Sequence, residues 1–200
     1  MRRPGASVSC WTIHPSPMLP CVALMNAIPP ERFLMQARIQ PLNSTHERGA
    51  FRCGHAELDR WLAEVAGQHQ LKDLSRTFVL ASLAEPDKIL GFYSLATSEI
   101  PTGNFPPGLA RKRPRVIPVA RMGRLAVDGA SQGKGYGETL LLDALKRVES
   151  LSASIGINAV VVDAKDDDAA RFYSRYGFTP LSHHPLTLVM PLTLVRQLGS

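Results

Sequence analysis

The chain has 200 residues, of which 44% are hydrophobic, a net charge of +6, and three cysteines. This length can bury the core of one domain without disulfides. An odd number of cysteines without a Cys-x-x-Cys pair argues against a disulfide framework and a zinc site. No apolar run approaches the roughly 18 residues that a membrane-spanning helix needs. We therefore expect one globular cytoplasmic domain that does not enter the membrane.

Residues 1–36 differ in composition from the rest of the chain. Six prolines interrupt any helical period, and a basic start precedes a moderately apolar stretch at residues 18–27. Because no small-residue cleavage site follows that stretch, we predict a disordered extension rather than a signal peptide. A misassigned start, with translation beginning near Met25 or Met35, is the second interpretation. The folded domain is predicted to span residues 37–200.

The first half of this domain is predicted to contain one helix and one hairpin. Apolar residues at helical spacing indicate a helix near residues 55–71. β-branched and aromatic runs at residues 76–84 and 88–100 are joined by the turn sequence EPDK, which predicts two antiparallel strands. Five prolines between residues 101 and 118 forbid a long regular element, so a mobile loop with short helical turns is expected there.

The positive charge is concentrated in this proline-flanked loop. Residues 37–200 hold 20 of the 23 Lys and Arg residues and 16 of the 17 Asp and Glu residues. The sequence RKRPR alone supplies four of these cations: Arg111, Lys112, Arg113 and Arg115. Since the remaining charges balance, the loop indicates a polyanionic partner. A solvated loop without a partner is the alternative.

The second half of the domain alternates strands and helices. A strand at residues 119–128 leads through a glycine-rich loop to a leucine-striped helix. The valine run at residues 158–164 predicts a buried strand, followed by a short helix that acidic residues begin and Gly177 ends. A closing strand is expected at residues 186–192. The order predicts an α+β fold, with helices flanking a mixed, mostly antiparallel sheet that contains one strand–helix–strand crossover.

The glycine-rich loop, SQGKGYG at residues 131–137, has the features of an anion site. The first turn of a helix leaves main-chain N–H groups without acceptors, and Gly133, Gly135 and Gly137 keep side chains away from them. Phosphate is the ligand that such a junction favours. A nucleoside triphosphate loop would need Ser or Thr after Lys134, and the glycine spacing differs from that of dinucleotide loops.

The remaining pattern, Gln132-x-x-Gly135-x-Gly137, resembles the pyrophosphate loop of the GNAT superfamily of acyl-CoA N-acyltransferases. GRLAVD before it and VVVDAKDDDAARFYSRYGF after the next helix resemble the two halves of that family's cofactor cleft. The resemblance implies a GNAT fold that binds acetyl-CoA, whose pantetheine arm would pair like an added strand with the main chain of Leu125, Ala126 and Val127. It further implies that the pyrophosphate is wrapped by the loop residues Gln132, Gly133, Lys134, Gly135, Tyr136 and Gly137. A structural turn, with Lys134 as a solvated side chain, is the alternative.

Acyl transfer requires a neutral amine, donors to the thioester carbonyl oxygen, and a proton for the departing thiolate. The family resemblance implies that the N–H of Val127 serves the oxygen and that Tyr173, in FYSRYGF, supplies the proton. On this helix Ala169, Phe172 and Tyr176 are spaced to face the core, and Phe172 is expected to pack against the cofactor arm. Tyr173 is expected to lie one step round, toward the cleft. A packing role for Tyr173 is the alternative.

The identity of the general base is open from the sequence. Glu99 and the pair His183 and His184 are candidates. Without a base, a lysine with a pKa near 10.4 stays protonated at neutral pH, whereas an α-amino group with a pKa near 7.7 to 8 is partly neutral. The residues therefore favour an α-amine as the acceptor.

Over about residues 38–195 the chain is similar to the GNAT toxins of bacterial type II toxin–antitoxin modules, for example in HERGAFRCGHAELDRWL, GFYSLATSEI and HPLTLVMPL. This resemblance implies acetyl transfer to the α-amine of aminoacyl-tRNA, which blocks translation. It also implies a ribbon-helix-helix antitoxin that brings operator DNA, and we expect a homodimer. The basic loop is predicted to contact tRNA together with Arg121 and Arg175. An N-acetyltransferase for a small amine or a protein N-terminus, and an acyl-CoA-binding regulatory subunit, are the alternatives.

Overall fold

The computed structural model describes residues 37–110 and 113–198, so residues 1–36, Arg111, Lys112, Gly199 and Ser200 lie outside the described part of the chain. Within it there are seven strands: β1 (Ala37–Pro41), β2 (Arg76–Ser82), β3 (Ile89–Pro101), β4 (Val116–Val127), β5 (Ala159–Asp163), β6 (Thr179–Leu181) and β7 (His184–Pro191). They form one sheet in the order β1-β2-β3-β4-β5-β7-β6. Only β4 and β5 pair in parallel; the other five pairs are antiparallel.

Five longer helical elements accompany the sheet in the described ranges, together with short 3-10 turns at Arg48–Ala50, Thr102–Asn104 and Gly129–Ser131. The first, α1, consists of Ala56–Arg60, the π-helical turn Trp61–Val65, and Ala66–Leu71. The others are α2 (Pro107–Ala110), α3 (Tyr136–Leu151), α4 (Asp167–Arg175) and α5 (Leu192–Leu198). The predicted α+β class, with helices flanking a mixed and mostly antiparallel sheet, is confirmed. None of the described helices is both long and apolar enough to cross a bilayer.

Five elements differ from the sequence prediction. Strands β1 and β6 and helix α5 were not expected, and β7 ends at Pro191, where α5 takes over. Strand β4 begins at Val116 rather than at residue 119 because Pro118 fits within it: β4 pairs with β5 only from Val119 onward. Pro118 lies just before this ladder, where its carbonyl oxygen accepts a hydrogen bond from the N–H of Asn158 (3.0 Å), and a proline at the start of a pairing is tolerated without its N–H.

The sheet separates two unequal hydrophobic layers. On one face, the apolar stripe of α3 packs against the sheet and forms the α3-side core, which includes Leu140, Leu145 and Val148. The opposite face carries two smaller clusters. The α1 cluster gathers Trp61, Leu62, Phe92 and Ala126, and the α2 cluster gathers Phe105, Ile117, Val161 and Val189.

A buried polar group fixes α3 against β3. The hydroxyl of Tyr93, whose side chain is fully buried, donates to the carboxylate of Asp143. Arg147 donates from Nε to Tyr93 Oη (2.8 Å) and to Asp143 Oδ2 (2.7 Å), and its guanidinium lies 4.1 Å from the ring centre of Phe78. Burial, and then the bond to Asp143, raise the pKa of Tyr93. The group therefore keeps its phenol protonated and joins two strands to the helix.

Candidate active site

Strands β4 and β5 separate near the middle of the sheet. Their parallel pairing ends at Met122 and Val162, whereas β4 stays paired with β3 as far as Val127. Gly123 is an extra residue on β4, because Met122 faces Leu95 and Arg124 faces Ser94. Such a bulge increases the local twist of a strand and ends pairing on one side.

The main-chain groups at this separation face the opening. The N–H of Asp128 donates to the carbonyl oxygen of Leu90 on β3 (2.9 Å). Because successive N–H groups of a strand alternate between its two edges, those of Val127 and Leu125 face away from β3, toward the space that β5 has left. An extended ligand can therefore pair with β4 there as an additional strand.

The glycine-rich loop leads from β4 into α3. Gly133 has a φ of 75° and Gly135, the residue before α3, a φ of 79°, values that favour glycine over other residues. Within residues 37–110 and 113–198, the main-chain N–H groups of Gly133, Gly135 and Gly137 make no hydrogen bond. These donors lie at the positive end of a helix of 16 residues. The junction therefore has the features of a phosphate site.

The side chain of Gln132 supports the loop. Its Nε2 donates to the carbonyl oxygens of Val127 and Cys53, each at 3.1 Å. These two bonds connect the start of the loop to the end of β4 and to the segment before α1. Gln132 is thus placed to order the loop, while its main chain stays available to a ligand.

A cavity of about 350 Å³ lies where these elements meet. Its lining combines the three predicted residues at the end of β4 with the loop, α4 and the segment before α1: Cys53, His55, Leu58, Leu125, Ala126, Val127, Gln132, Gly137, Lys165, Ala169, Phe172 and Tyr173. A Cβ placed on Gly137 would lie 3.8 Å from the ring of Phe172 and 3.9 Å from Val127. The lining is mainly apolar, which fits a pantetheine arm better than a charged ligand.

Helix α4 places Tyr173 in this cavity. The helix begins where Asp166 accepts a hydrogen bond from the N–H of Ala169 (2.8 Å), with acidic residues in its first turn as predicted. The ring of Tyr173 is only 5% exposed and packs edge-on against Phe172 and Phe178. Its hydroxyl makes no hydrogen bond with any residue in the described ranges. Burial, and then the negative charge of Asp163, raise the pKa of Tyr173, so the phenol is protonated at neutral pH.

The sequence did not single out three polar residues of the cavity. Cys53 and His55 precede α1, and Lys165 precedes α4. The Nζ of Lys165 contacts the imidazole of His55 and the carboxylate of Asp166 (2.8 Å). Burial, together with a hydrogen bond involving Asp59, raises the pKa of Cys53 to about 11. The cysteine therefore faces the cavity as a thiol and is a poor nucleophile.

Two predicted loop residues lie beside a second cavity. Lys134 and Tyr136 line a space of about 590 Å³ between the loop and the β2–β3 hairpin. The Nζ of Lys134 donates to the carbonyl oxygen of Ala130 (3.0 Å), and the ring of Tyr136 belongs to the α3-side core. Only the main chain of Tyr136 is thus available to a ligand at the loop.

The structure disperses the arginines predicted to contact tRNA. Arg113 donates to the amide oxygen of Asn158, Arg115 is exposed, and Arg175 lies on α4 with its guanidinium 5.6 Å from the ring of Phe172. Arg121 forms a bidentate ion pair with Asp163, at 2.7 and 2.6 Å. Arg111 and Lys112, the other two members of the basic loop, are outside the described residues.

The candidate bases do not line the cavity. Glu99 is exposed near the end of β3, and His183 and His184 are exposed at the turn between β6 and β7. None of the three belongs to the cavity lining, whereas His55 does. Among the described residues, no group of three acidic, histidine or cysteine side chains is arranged to hold a metal ion.

Comparison with known proteins gives consistent matches along the described chain. The family model of the acetyltransferase (GNAT) domain matches residues 74–180. A probable toxin TacT of Sinorhizobium fredii is 31% identical over 170 residues, which covers 80% of this chain and 93% of the relative. A tRNA-acetylating toxin of Mycobacterium tuberculosis is 34% identical over 149 residues, 74% of this chain and 88% of the relative.

Solved structures match over the same region. A tyrosine-to-phenylalanine mutant of KacT has a TM-score of 0.77 at 27% identity, covering 82% of this chain and 99% of KacT. AtaT complexed with acetyl-methionyl-tRNAfMet has a TM-score of 0.76 at 28% identity, with coverages of 82% and 99%. AtaTR bound with acetyl-CoA has a TM-score of 0.72 at 27% identity, with coverages of 83% and 99%.

Proposed function

This chain belongs to the GNAT acetyltransferase family, and from that premise we propose that it is the toxin of a toxin–antitoxin module. It transfers an acetyl group from acetyl-CoA to the α-amine of aminoacyl-tRNA and thereby blocks translation. The single observation that carries the proposal is the cavity at the separation of β4 and β5, which brings an unpaired strand edge, a glycine-rich helix start and a protonated tyrosine together. A relative described as a tRNA-acetylating toxin matches 74% of this chain.

The residues present fit acetyl-CoA as the acetyl donor. The main chain of Leu125 and Val127 offers hydrogen bonds along an extended edge, which suits the amide-containing pantetheine arm. The N–H groups of Gly133, Gly135 and Gly137 suit the pyrophosphate. When bound, acetyl-CoA supplies an acyl group activated as a thioester.

Two groups of this chain serve the transfer itself. The N–H of Val127 donates a hydrogen bond to the carbonyl oxygen of the acetyl group, where negative charge develops during attack. Tyr173 donates its proton to the departing thiolate, because its phenol is protonated and its hydroxyl is not engaged by another described residue. Cys53 stays a thiol, which supports direct attack by the amine rather than an acyl-cysteine intermediate.

An α-amine requires little help to attack. About a fifth or less of an amine with a pKa of 7.7 to 8 is neutral near pH 7, whereas a lysine is almost wholly charged. No carboxylate belongs to the lining of this cavity, so the site offers no carboxylate base to deprotonate a strongly basic amine such as lysine. His55 is the one imidazole in the cavity lining, and its Nε2 accepts a hydrogen bond from the Nζ of Lys165, so its acceptor nitrogen is already engaged.

The partners follow from the same proposal. The basic loop, including Arg113 and Arg115, contacts tRNA phosphates. A ribbon-helix-helix antitoxin restrains the toxin in the cytoplasm and links it to operator DNA, and the toxin is a homodimer. Structures of AtaT bound to the C-terminus of the antitoxin AtaR, and of a KacTA–DNA complex, support the antitoxin and DNA assignments by similarity.

Labelled acetyl-CoA tests the activity directly. The purified chain is incubated with aminoacyl-tRNA, with deacylated tRNA, and with free amino acids or N-terminal peptides in place of RNA. We expect label on the aminoacyl group of charged tRNA only, together with growth arrest when the chain is produced without its antitoxin. Equal labelling of deacylated tRNA would reject the α-amine. Efficient labelling of free amines or peptides, with none on charged tRNA, would identify a small-amine or N-terminal acetyltransferase instead.

A further inference from the structure

Arg124 is a half-buried cation on β4 whose surroundings differ from those of the other arginines near the site. It follows the bulge at Gly123, and its guanidinium carbon lies 4.2 Å from the ring centre of Trp61. Trp61 is itself fixed, because it is buried and stacks on Phe92 with ring centres 5.9 Å apart. A guanidinium stacked on an indole is held in one plane while its N–H groups stay free at the rim.

The donors of Arg124 are not used within the protein. Across residues 37–110 and 113–198, its guanidinium forms no hydrogen bond and no ion pair. Arg121, three residues earlier, makes a bidentate pair with Asp163, and Arg147 is paired with Asp143. Burial lowers the pKa of Arg124, partly offset by the nearby charge of Asp163. A partly desolvated cation with unpaired donors is costly, and a bound anion would offset that cost.

The position of Arg124 indicates that it contacts the acceptor substrate rather than acetyl-CoA. Leu125 and Val127, its neighbours on β4, line the cavity, whereas Arg124 does not. It lies on the opposite face of the sheet from α3, with the α1 cluster beside it. Arg124 is three residues from Val127, about 10 Å along an extended strand. An anion bound there would be near the acyl-transfer point but outside the donor cavity.

We propose that Arg124, oriented by Trp61, binds the phosphodiester directly 5′ of the terminal nucleoside that carries the aminoacyl group. The inference rests on the function proposed above. In an aminoacyl-tRNA the carboxyl group of the amino acid is esterified, so this phosphate is the anion nearest to the α-amine. The planar guanidinium can donate two hydrogen bonds to two phosphate oxygens, which fixes the direction from which the amine approaches.

Matched acceptors with and without the phosphate test the inference. Wild type, Arg124→Gln and Arg124→Lys are assayed with aminoacyl-tRNA, with 3′-aminoacyl-adenosine, and with the same fragment extended by a 5′-linked cytidine phosphate. Arg38→Gln is the control, because this exposed arginine on β1 lies three strands from β4, roughly 14 Å across the sheet. Acetyl-CoA affinity is measured by calorimetry for every variant, so that loss of folding is detected.

Arg124→Gln should lower kcat/KM roughly tenfold to a hundredfold for tRNA and for the phosphate-containing fragment. It should leave kcat/KM for the aminoacyl-adenosine unchanged, and Arg38→Gln should change none of the three. An equal loss for fragments with and without the phosphate would overturn the inference, as would no loss for either. If Arg124→Gln fails to bind acetyl-CoA, the comparison is made with Arg124→Lys, which should show a smaller loss limited to phosphate-containing acceptors.

The outcomes also separate this inference from the proposed function. If wild type acetylates no aminoacyl acceptor, the proposed function fails, whatever the variants do. If wild type acetylates charged tRNA and Arg124→Gln does so equally well, only the phosphate contact fails. If wild type also acetylates free amino acids and Arg124→Gln loses that activity, Arg124 recognises the amino-acid carboxylate and the phosphate assignment is wrong.

Discussion

Replacing Tyr173 by Phe removes one oxygen from the cavity and tests the proton donor. The ring packs against Phe172 and Phe178 at centroid distances of 5.2 and 5.7 Å, and phenylalanine preserves these contacts. Because the hydroxyl has no partner among the described residues, its removal leaves no buried group unpaired. The free energy of unfolding should therefore change by less than about 1 kcal/mol. Acetyl-CoA affinity should also be unchanged.

The rate of acetyl transfer should fall far more than the stability. Loss of a general acid lowers rates by about 10²- to 10⁴-fold, equivalent to about 3 to 5.5 kcal/mol in the transition state. Single-turnover acetylation of charged tRNA, with acetyl-CoA in excess, measures this step without product release. Tyr176→Phe is the matched control, because Tyr176 directly follows the same helix but does not line the cavity. Its rate should equal that of wild type.

The pH dependence adds an independent test of the same assignment. Burial and Asp163 raise the pKa of Tyr173, so the protonated donor persists as pH rises and the wild-type rate should not decline near pH 10, where an ordinary tyrosine ionises. At low pH the rate should fall as the α-amine of the acceptor becomes protonated. A Tyr173→Phe rate within threefold of wild type would refute the role of Tyr173 as the acid, and so would a wild-type decline centred on pH 10.

Three further changes test other parts of the structure. The raised pKa of Cys53, about 11, predicts that iodoacetamide labels this thiol roughly a hundredfold more slowly at pH 8 than an ordinary thiol, and that bound acetyl-CoA slows the labelling further. Peptide mass spectrometry measures both rates, and rapid labelling would contradict the burial of Cys53. Tyr93→Phe should lower the free energy of unfolding, measured by urea denaturation, by roughly 1.5 to 3 kcal/mol, because Asp143 loses a buried hydrogen-bond donor. A smaller change would show that Tyr93 contributes to stability by packing alone. Gln132→Ala should raise KM for acetyl-CoA by roughly tenfold with little effect on kcat, because two hydrogen bonds that order the glycine-rich loop are lost. An unchanged KM would show that the glycines alone set the conformation of the loop.

The central elements of the fold were predictable because local pattern and burial agree in them. The valine run that became β5 is buried on both faces, and the leucine stripe that became α3 faces the sheet. The missed strands lack this agreement. β6 has three residues, of which only Leu181 is buried, and β1 has a single buried residue, Ala37. Such edge strands are defined by hydrogen bonds to a neighbour distant in sequence, which no local periodicity reveals.

The site was predictable only where a single segment builds it. The end of β4 and the loop are contiguous, so the three residues of the strand and the glycines could be assigned together from 13 consecutive positions, residues 125–137. His55 and Lys165 meet although 110 positions separate them, and Cys53 contacts Gln132 across 79. These neighbours result from the tertiary fold. Arg124 was missed for a related reason, because its unpaired state depends on Trp61 and on which face of β4 it occupies.

The bulge at Gly123 connects the two halves of the proposed reaction. Side chains alternate along a regular strand, so if Gly123 were paired as a regular strand residue, Arg124 would share the face of Met122, which is buried in the α3-side core. An unpaired guanidinium could not remain there, because burying a charge without a partner costs several kcal/mol. With the bulge, Arg124 moves to the face of Arg121 and Asp163, while the N–H groups of Leu125 and Val127 point to the edge. The bulge at Gly123 therefore keeps Arg124 on the acceptor face beside the strand edge that faces the acetyl-CoA cavity, so moving the bulge beyond Arg124 should turn this side chain toward the α3-side core and impair acceptor binding.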